Sequence, residues 1–186
     1  MPVIGLTGPN AAGKGEACAY LRSQGFAVHS LSDIIREELA ARGEAPTREA
    51  MIRTGNELRR GGGPGALAER LLPRLGRRDV VDSVRTPGEA GVLRRIEGFL
   101  LVCVDAPAAV RFERAWRRGR VGDARTLEAF VALEARENTT DPAAQQLAAT
   151  AALADVTLAN DGGLDALHAQ LDRLLAERCA PPESAA

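Results

Sequence analysis

The sequence is almost without lysine. Lys+Arg total 24, and Lys14 is the only lysine among them. The chain is also rich in Ala, Gly and Pro, as expected of a GC-rich coding sequence that drives lysine codons toward arginine. Arginine is a flat fork and lysine a compact point charge, so one retained lysine marks a position that the fork does not suit. Cysteine is scarce too. Cys18, Cys103 and Cys179 are far apart and lack C-x-x-C spacing. They form no metal or disulfide framework and fit a reducing cytoplasm. No apolar run approaches the roughly 20 residues of a membrane span, so no membrane partner is expected. Residues 1–5 show no basic stretch leading into a long apolar one, so no secretory leader is expected either. There is no excess of positive charge: 24 basic residues face 25 acidic ones, for a net charge of −1. That balance argues against a partner that is a nucleic-acid polymer.

What is present is an ordinary globular mixture, 45% apolar and 26% charged in 186 residues. This is enough chain for one domain with its own core. Short apolar runs at 3–7, 26–30, 79–84, 99–104 and 156–159 read as strands. Helical spacing fills most of the intervals. One helix starts at Ser32 or Asp33 as cap, and another spans 47–58 and breaks at 61–65. Further helices follow over 66–75, 87–96, 108–118 and 126–137, the last with Leu127, Phe130 and Val131 inward. A final helix carries Leu164, Leu167, Leu171, Leu174 and Leu175 on one face. The alternation predicts an α/β domain over residues 1–179 with a mostly parallel five-stranded sheet, and a flexible tail at 180–186. In such sheets ligands bind at the carboxyl ends of the strands.

The first of those ends carries Gly8, Pro9, Asn10, Ala11, Ala12, Gly13, Lys14 and Gly15. The segment fits G-x-x-x-x-G-K between a strand and a helix. Glycines let backbone N–H groups curl around a phosphate chain, and the helix N-terminus adds partial positive charge. The lysine then reaches the β- and γ-phosphates. Position 15 is glycine, so the hydroxyl that commonly binds Mg²⁺ is missing. Glu16 follows it in the first helical turn.

Gly-Lys-Gly resembles the phosphate loop of adenylate-kinase-type nucleoside monophosphate kinases. Closer still is a group of archaeal and bacterial P-loop kinases of adenylate-kinase-like or dephospho-CoA-kinase-like type. The shared segments are Gly-Lys-Gly-Glu at 13–16, residues 32–38, Asn56-Glu57-Leu58-Arg59, residues 81–85, Arg117-Arg118-Gly119-Arg120 and Asn160-Asp161-Gly162. Their order covers nearly the whole chain. The resemblance implies a three-layer α/β/α P-loop kinase fold with a helical acceptor-binding insertion over about 32–75 and a short lid over about 117–137. It implies ATP and Mg²⁺ as cofactors, a small nucleotide as acceptor, a cytoplasmic location, and a monomer or homodimer.

The remaining candidates follow from position and resemblance together. Gly8 to Glu16 would hold ATP, with Arg114 packing on the adenine side and the Asn160 loop bordering the base. A helix-start turn explains Asn160 equally well. Asp33 and Arg36 share a helical turn, where the resemblance places an arginine for the acceptor phosphate; a cap and a solvated arginine are the ordinary alternative. Asn56 and Arg59 fall in the insertion, where a solvated face is the alternative. Asp82 ends the third strand, where a carboxylate holds Mg²⁺ through water or simply caps the strand. Arg85 suits bidentate phosphate binding. Arg111, Arg114, Arg117, Arg118, Arg120 and Arg125 face only Glu113 and Asp123, an imbalance that fits a lid closing on phosphates. Within it the resemblance favours Arg118, with Lys14 and Asp82, for catalysis and gives Arg136 an acceptor-side role in the lid. A lid zinc is excluded by the cysteine count. His29 and His168 read as structural, and Trp116 as lid or core packing.

ATP-dependent phosphorylation of a nucleotide-like acceptor is the leading expectation. Dephospho-CoA kinase is the near alternative, and a nucleotide-binding module with little turnover the more distant one. A GTP switch is disfavoured, because its Asn-Lys-x-Asp motif needs a second lysine.

Overall fold

A computed structural model describes residues 3–119 and 124–179. The sheet comprises β1 (Ile4–Thr7), β2 (Ala27–Ser30), β3 (Asp79–Asp82), β4 (Leu100–Asp105) and β5 (Val156–Ala159). The helices are α1 (Lys14–Ser23), α2 (Leu31–Ala41), α3 (Arg48–Gly62), α4 (Ala66–Leu71), α5 (Pro87–Leu93), α6 (Ala108–Arg118), α7 (Leu127–Glu137), α8 (Leu147–Ala151) and α9 (Leu164–Cys179), with a 3-10 turn at Leu72–Arg74.

The strand order is β2-β3-β1-β4-β5, and every pair is parallel. Parallel strands covered on both faces need continuous apolar runs, and β1 and most of β4 are buried along their length. One core joins the sheet to α2, α3, α4 and α5 through Leu31, Leu39, Leu58, Leu67 and Leu93. The other joins it to α1 and α9 through Leu21, Leu167 and Leu171. The result is the expected three-layer α/β/α domain. From β1 the chain crosses to β2 and β3 on one side and then to β4 and β5 on the other. The connections therefore diverge at the carboxyl end of β1, which opens a crevice there.

Several local expectations are corrected. Ser30, not Ser32 or Asp33, caps α2, its Oγ accepting from Ser32 N at 3.2 Å. α3 runs through Gly61 to Gly62 and ends only where Gly63 turns to φ 87°. Val131 and Leu164 are exposed, and so is Trp116, which is no core residue. His29 pairs with buried Asp79, and His168 stacks on Tyr20 with centroids 4.2 Å apart. Arg120, Asp123 and the tail at 180–186 lie outside the described residues. Among the described residues no helix is long and apolar enough to cross a membrane.

Candidate active site

The loop after β1 is curled by positive φ at Gly8 (125°), Ala11 (58°) and Gly13 (109°). Two of its glycines are fixed by contact as well as by conformation. A Cβ on Gly8 would lie 2.1 Å from the Val104 carbonyl oxygen, and one on Gly13 would lie 2.0 Å from Asn160 Nδ2. The loop is thus pressed onto the ends of β4 and β5. Asn160 is buried; its Nδ2 donates to Ala12 O at 2.7 Å and its backbone N to Asp105 O at 2.7 Å. Its side chain braces the loop from beneath. Gly15 and Glu16 are exposed. A Cβ at Gly15 would meet nothing within 4 Å, so space for a hydroxyl exists where the hydroxyl does not.

Lys14 folds back over this loop. Its Nζ donates to Gly8 O at 2.7 Å and Pro9 O at 2.8 Å. Burial of the ammonium lowers its pKa to about 8, and the Arg85 cation pushes the same way against the Asp82 carboxylate. Asp82 ends β3. Its Oδ2 accepts from Ser83 Oγ at 3.1 Å, whereas Oδ1 is buried with no partner among the described residues. Ser83, at φ 66°, turns the chain out of the sheet there, and Ser30 Oγ reaches its hydroxyl at 3.4 Å. A buried carboxylate oxygen left without a donor is costly unless an ion or water takes it.

Beside the loop lies a cavity of about 370 Å³, with Asn10 on its rim. Arg36, Arg48, Arg59, Arg85 and Arg118 line it together with Glu134 and Gln145. Leu31, Ile35, Met51, Ile52, Leu67 and Leu147 supply its apolar wall. Of the acceptor candidates, Arg36, Arg59 and Arg85 therefore meet in one place. Arg36 is held by Asp33 at 2.6 Å, and Arg85 Nη1 donates to Gln145 Oε1 at 2.7 Å. Arg59 is buried and donates through Nε and Nη2 to Glu89 Oε1, at 3.0 and 2.8 Å. Asp33, Asn56 and Arg136 are not on the wall. Asp33 and Arg136 are exposed, and the Asn56 amide, with its nitrogen turned toward the carbonyls of Ile52 and Ala143, ties α3 to the segment before α8.

Arg114 stands on the far side of the loop, its Nη2 at 3.5 Å from both Asn160 Oδ1 and Gly162 O. Its Nη1 is buried without a partner among the described residues. Arg111, counted in the sequence only as part of a basic run, is buried instead. It bonds Ala106 O, Asn10 O and the Glu134 carboxylate. Arg48, Glu134 and Gln145 had no signal in the sequence beyond their charge or polarity.

No family model matches the chain. Whole-chain similarity is more informative. A UPF0200 protein of Hyperthermus butylicus is 34% identical over 177 residues, which is 93% of this chain and 92% of that one. The chain belongs to the UPF0200 family. Among solved structures, TT1252 from Thermus thermophilus aligns with this UPF0200 member at a TM-score of 0.61 and 26% identity, over 95% of this chain and 97% of that one. Shikimate kinase from Acinetobacter baumannii, in complex with shikimate, aligns at 0.57 and 17% identity over 97% and 96%. At that identity the likeness is one of fold, a three-layer α/β/α domain with a five-stranded parallel sheet.

Proposed function

We propose that this UPF0200 protein transfers the terminal phosphoryl group of ATP to a nucleoside monophosphate or similar nucleotide. The supporting observation is one of adjacency. Asn10 belongs both to the loop that carries Lys14 and to the rim of a cavity faced by five arginines. A phosphate-gripping loop that opens onto a second anion site is what in-line phosphoryl transfer between two anions requires.

In this reading the loop from Gly8 to Glu16 takes the triphosphate through its backbone N–H groups, while Arg114 and the Asn160 loop border the base. Lys14 trades the carbonyls of Gly8 and Pro9 for the β- and γ-phosphates. Arg36, Arg59 and Arg85 anchor the acceptor, with Asp33 orienting Arg36 and Asn56 bracing the wall from outside. Residues 32–75 form the acceptor insertion and 117–137 the lid, which brings Arg118, supported by Arg136, onto the moving phosphoryl. The Oδ1 of Asp82, without a partner among the described residues, fits a Mg²⁺ shell, directly or through water, in the absence of a hydroxyl at position 15. When bound, that ion would neutralise charge on the β- and γ-phosphates.

The test is ADP release with ATP and Mg²⁺ against ribo- and deoxynucleoside monophosphates and dephospho-CoA. Stimulation by a nucleoside monophosphate is expected. Stimulation by dephospho-CoA alone would replace the acceptor assignment. ATP binding without stimulation by any of them would overturn phosphoryl transfer and leave a nucleotide-binding module, the reading that Gly15 favours.

A further inference from the structure

Among the described residues Glu134 is the one carboxylate on a cavity wall lined by five arginines. It sits one turn after buried Phe130 on α7, and its side chain is 22% exposed. Its Oε1 accepts from Arg111 Nη1. Arg111 is itself fixed: Nε donates to Ala106 O at 2.8 Å, Nη1 reaches Asn10 O at 3.4 Å, and the guanidinium lies 5.6 Å from the centre of the Phe130 ring. The carboxylate is therefore aimed by a rigid neighbour. Among the described residues Arg111 is its one partner, which leaves Oε2 able to accept. An ionised carboxylate only accepts hydrogen bonds. A cavity built for phosphate alone gains nothing from a negative charge on its wall, since that charge opposes the ligand.

We infer that Glu134 sets acceptor specificity by accepting a hydrogen bond from a hydroxyl or N–H group of the acceptor, away from its phosphate. The preferred acceptor is an anion that also carries a donor, and phosphate alone is the wrong ligand. This rests on the acceptor reading given above.

The probes are AMP, GMP, CMP and UMP, their 2′,3′-dideoxy forms, and inorganic phosphate, titrated by calorimetry into wild type, Glu134→Ala and Glu134→Gln. Wild type should bind at least one monophosphate tenfold or more tighter than phosphate. Glu134→Ala should weaken that nucleotide at least tenfold while phosphate binds as well as before or better. If Glu134 only balances Arg111, both ligands move together, and that result overturns the inference. So does a nucleotide affinity unmoved in both variants. The dideoxy forms separate a sugar hydroxyl from a base N–H: the partner group is the one whose removal no longer matters in Glu134→Ala. Glu134→Gln keeps an oxygen for Arg111 and guards against misfolding. It should bind the non-hydrolysable analogue AMPPNP within twofold of wild type and weaken the nucleotide at least threefold. Should no monophosphate bind wild type better than phosphate, the nucleotide-acceptor reading itself fails, an outcome distinct from a nucleotide that binds and ignores Glu134.

Discussion

Lys14 donates two hydrogen bonds to its own loop, yet burial still makes its proton easy to lose. With its pKa near 8, the ammonium that a polyphosphate needs is present below that pH and fades above it. Tripolyphosphate affinity is thus expected to hold from pH 6.5 to 7.5 and to fall at least tenfold by pH 9.5, measured by calorimetry. Arg85→Ala removes the second-largest cause of the lowered pKa and should move the midpoint up; Asp82→Asn removes an opposing charge and should move it down. The folding linkage has the opposite sign. Between about 8 and the ordinary 10.5 the unfolded chain holds the Lys14 proton more tightly than the folded one, so this group makes the ligand-free protein more stable as pH rises. Affinity falling while stability rises is a signature that general alkaline damage does not share. Lys14→Met should flatten the affinity profile and, like other lost transition-state contacts, slow turnover at least about a hundredfold. A pH-independent affinity in wild type would remove Lys14 from the site.

Among the elements, α3 and α5 are joined by one buried ion pair. Glu89 is fully buried and uses both oxygens: Oε1 for Arg59, and Oε2 for the backbone N–H groups of Arg85 and Thr86 at 2.8 and 3.2 Å. The same carboxylate closes the capping box of α5 with Thr86. Removing one partner of such a pair strands the other charge, so Glu89→Ala should cost about 3–5 kcal/mol in urea unfolding. Because Glu89 also holds the backbone of Arg85, acceptor affinity should fall with it. A cost under about 1 kcal/mol would show that Arg59 finds another partner. This pair also shows where sequence reading stops. Arg59 read as an acceptor arginine or a solvated one; it is buried on the cavity wall, and it is also paired with Glu89, 30 residues away. Spacing along one helix cannot reveal a partner that tertiary packing supplies. Asn160 is a like case: the motif marked its loop beside the nucleotide, and nothing in the spacing pointed to its amide bracing Ala12. The strand–loop–helix from β1 through Gly8–Gly13 to α1 was legible because its pattern is local, as were the strand alternation and the parallel sheet. The cavity was not legible, because Arg48, Glu134 and Gln145 come from three separate segments.

At the scale of the molecule, the two proposed anion sites sit at the carboxyl end of the sheet of a chain whose net charge is −1. Long-range attraction therefore adds little, and ligands must be held by local groups in a partly dry crevice. Both core clusters reach this end of the sheet: Leu31, Ile35 and Leu67 line the cavity, and Ala12 packs within the other core. A ligand in the phosphate loop is accordingly coupled to folding of the whole domain. ATP at a hundred times its Kd should stabilise the protein by about 2.7 kcal/mol. For a chain of this length that raises Tm by roughly 5–11 °C. Differential scanning calorimetry in Mg²⁺ buffer reads it directly. Tripolyphosphate should give a shift of the same sign, since the contacts proposed for the loop are to phosphates and not to the base. Lys14→Met should lose most of both shifts while keeping its ligand-free transition cooperative. An equal ATP shift in wild type and Lys14→Met would mean that the nucleotide binds elsewhere, and the assignment of this crevice would fall with it.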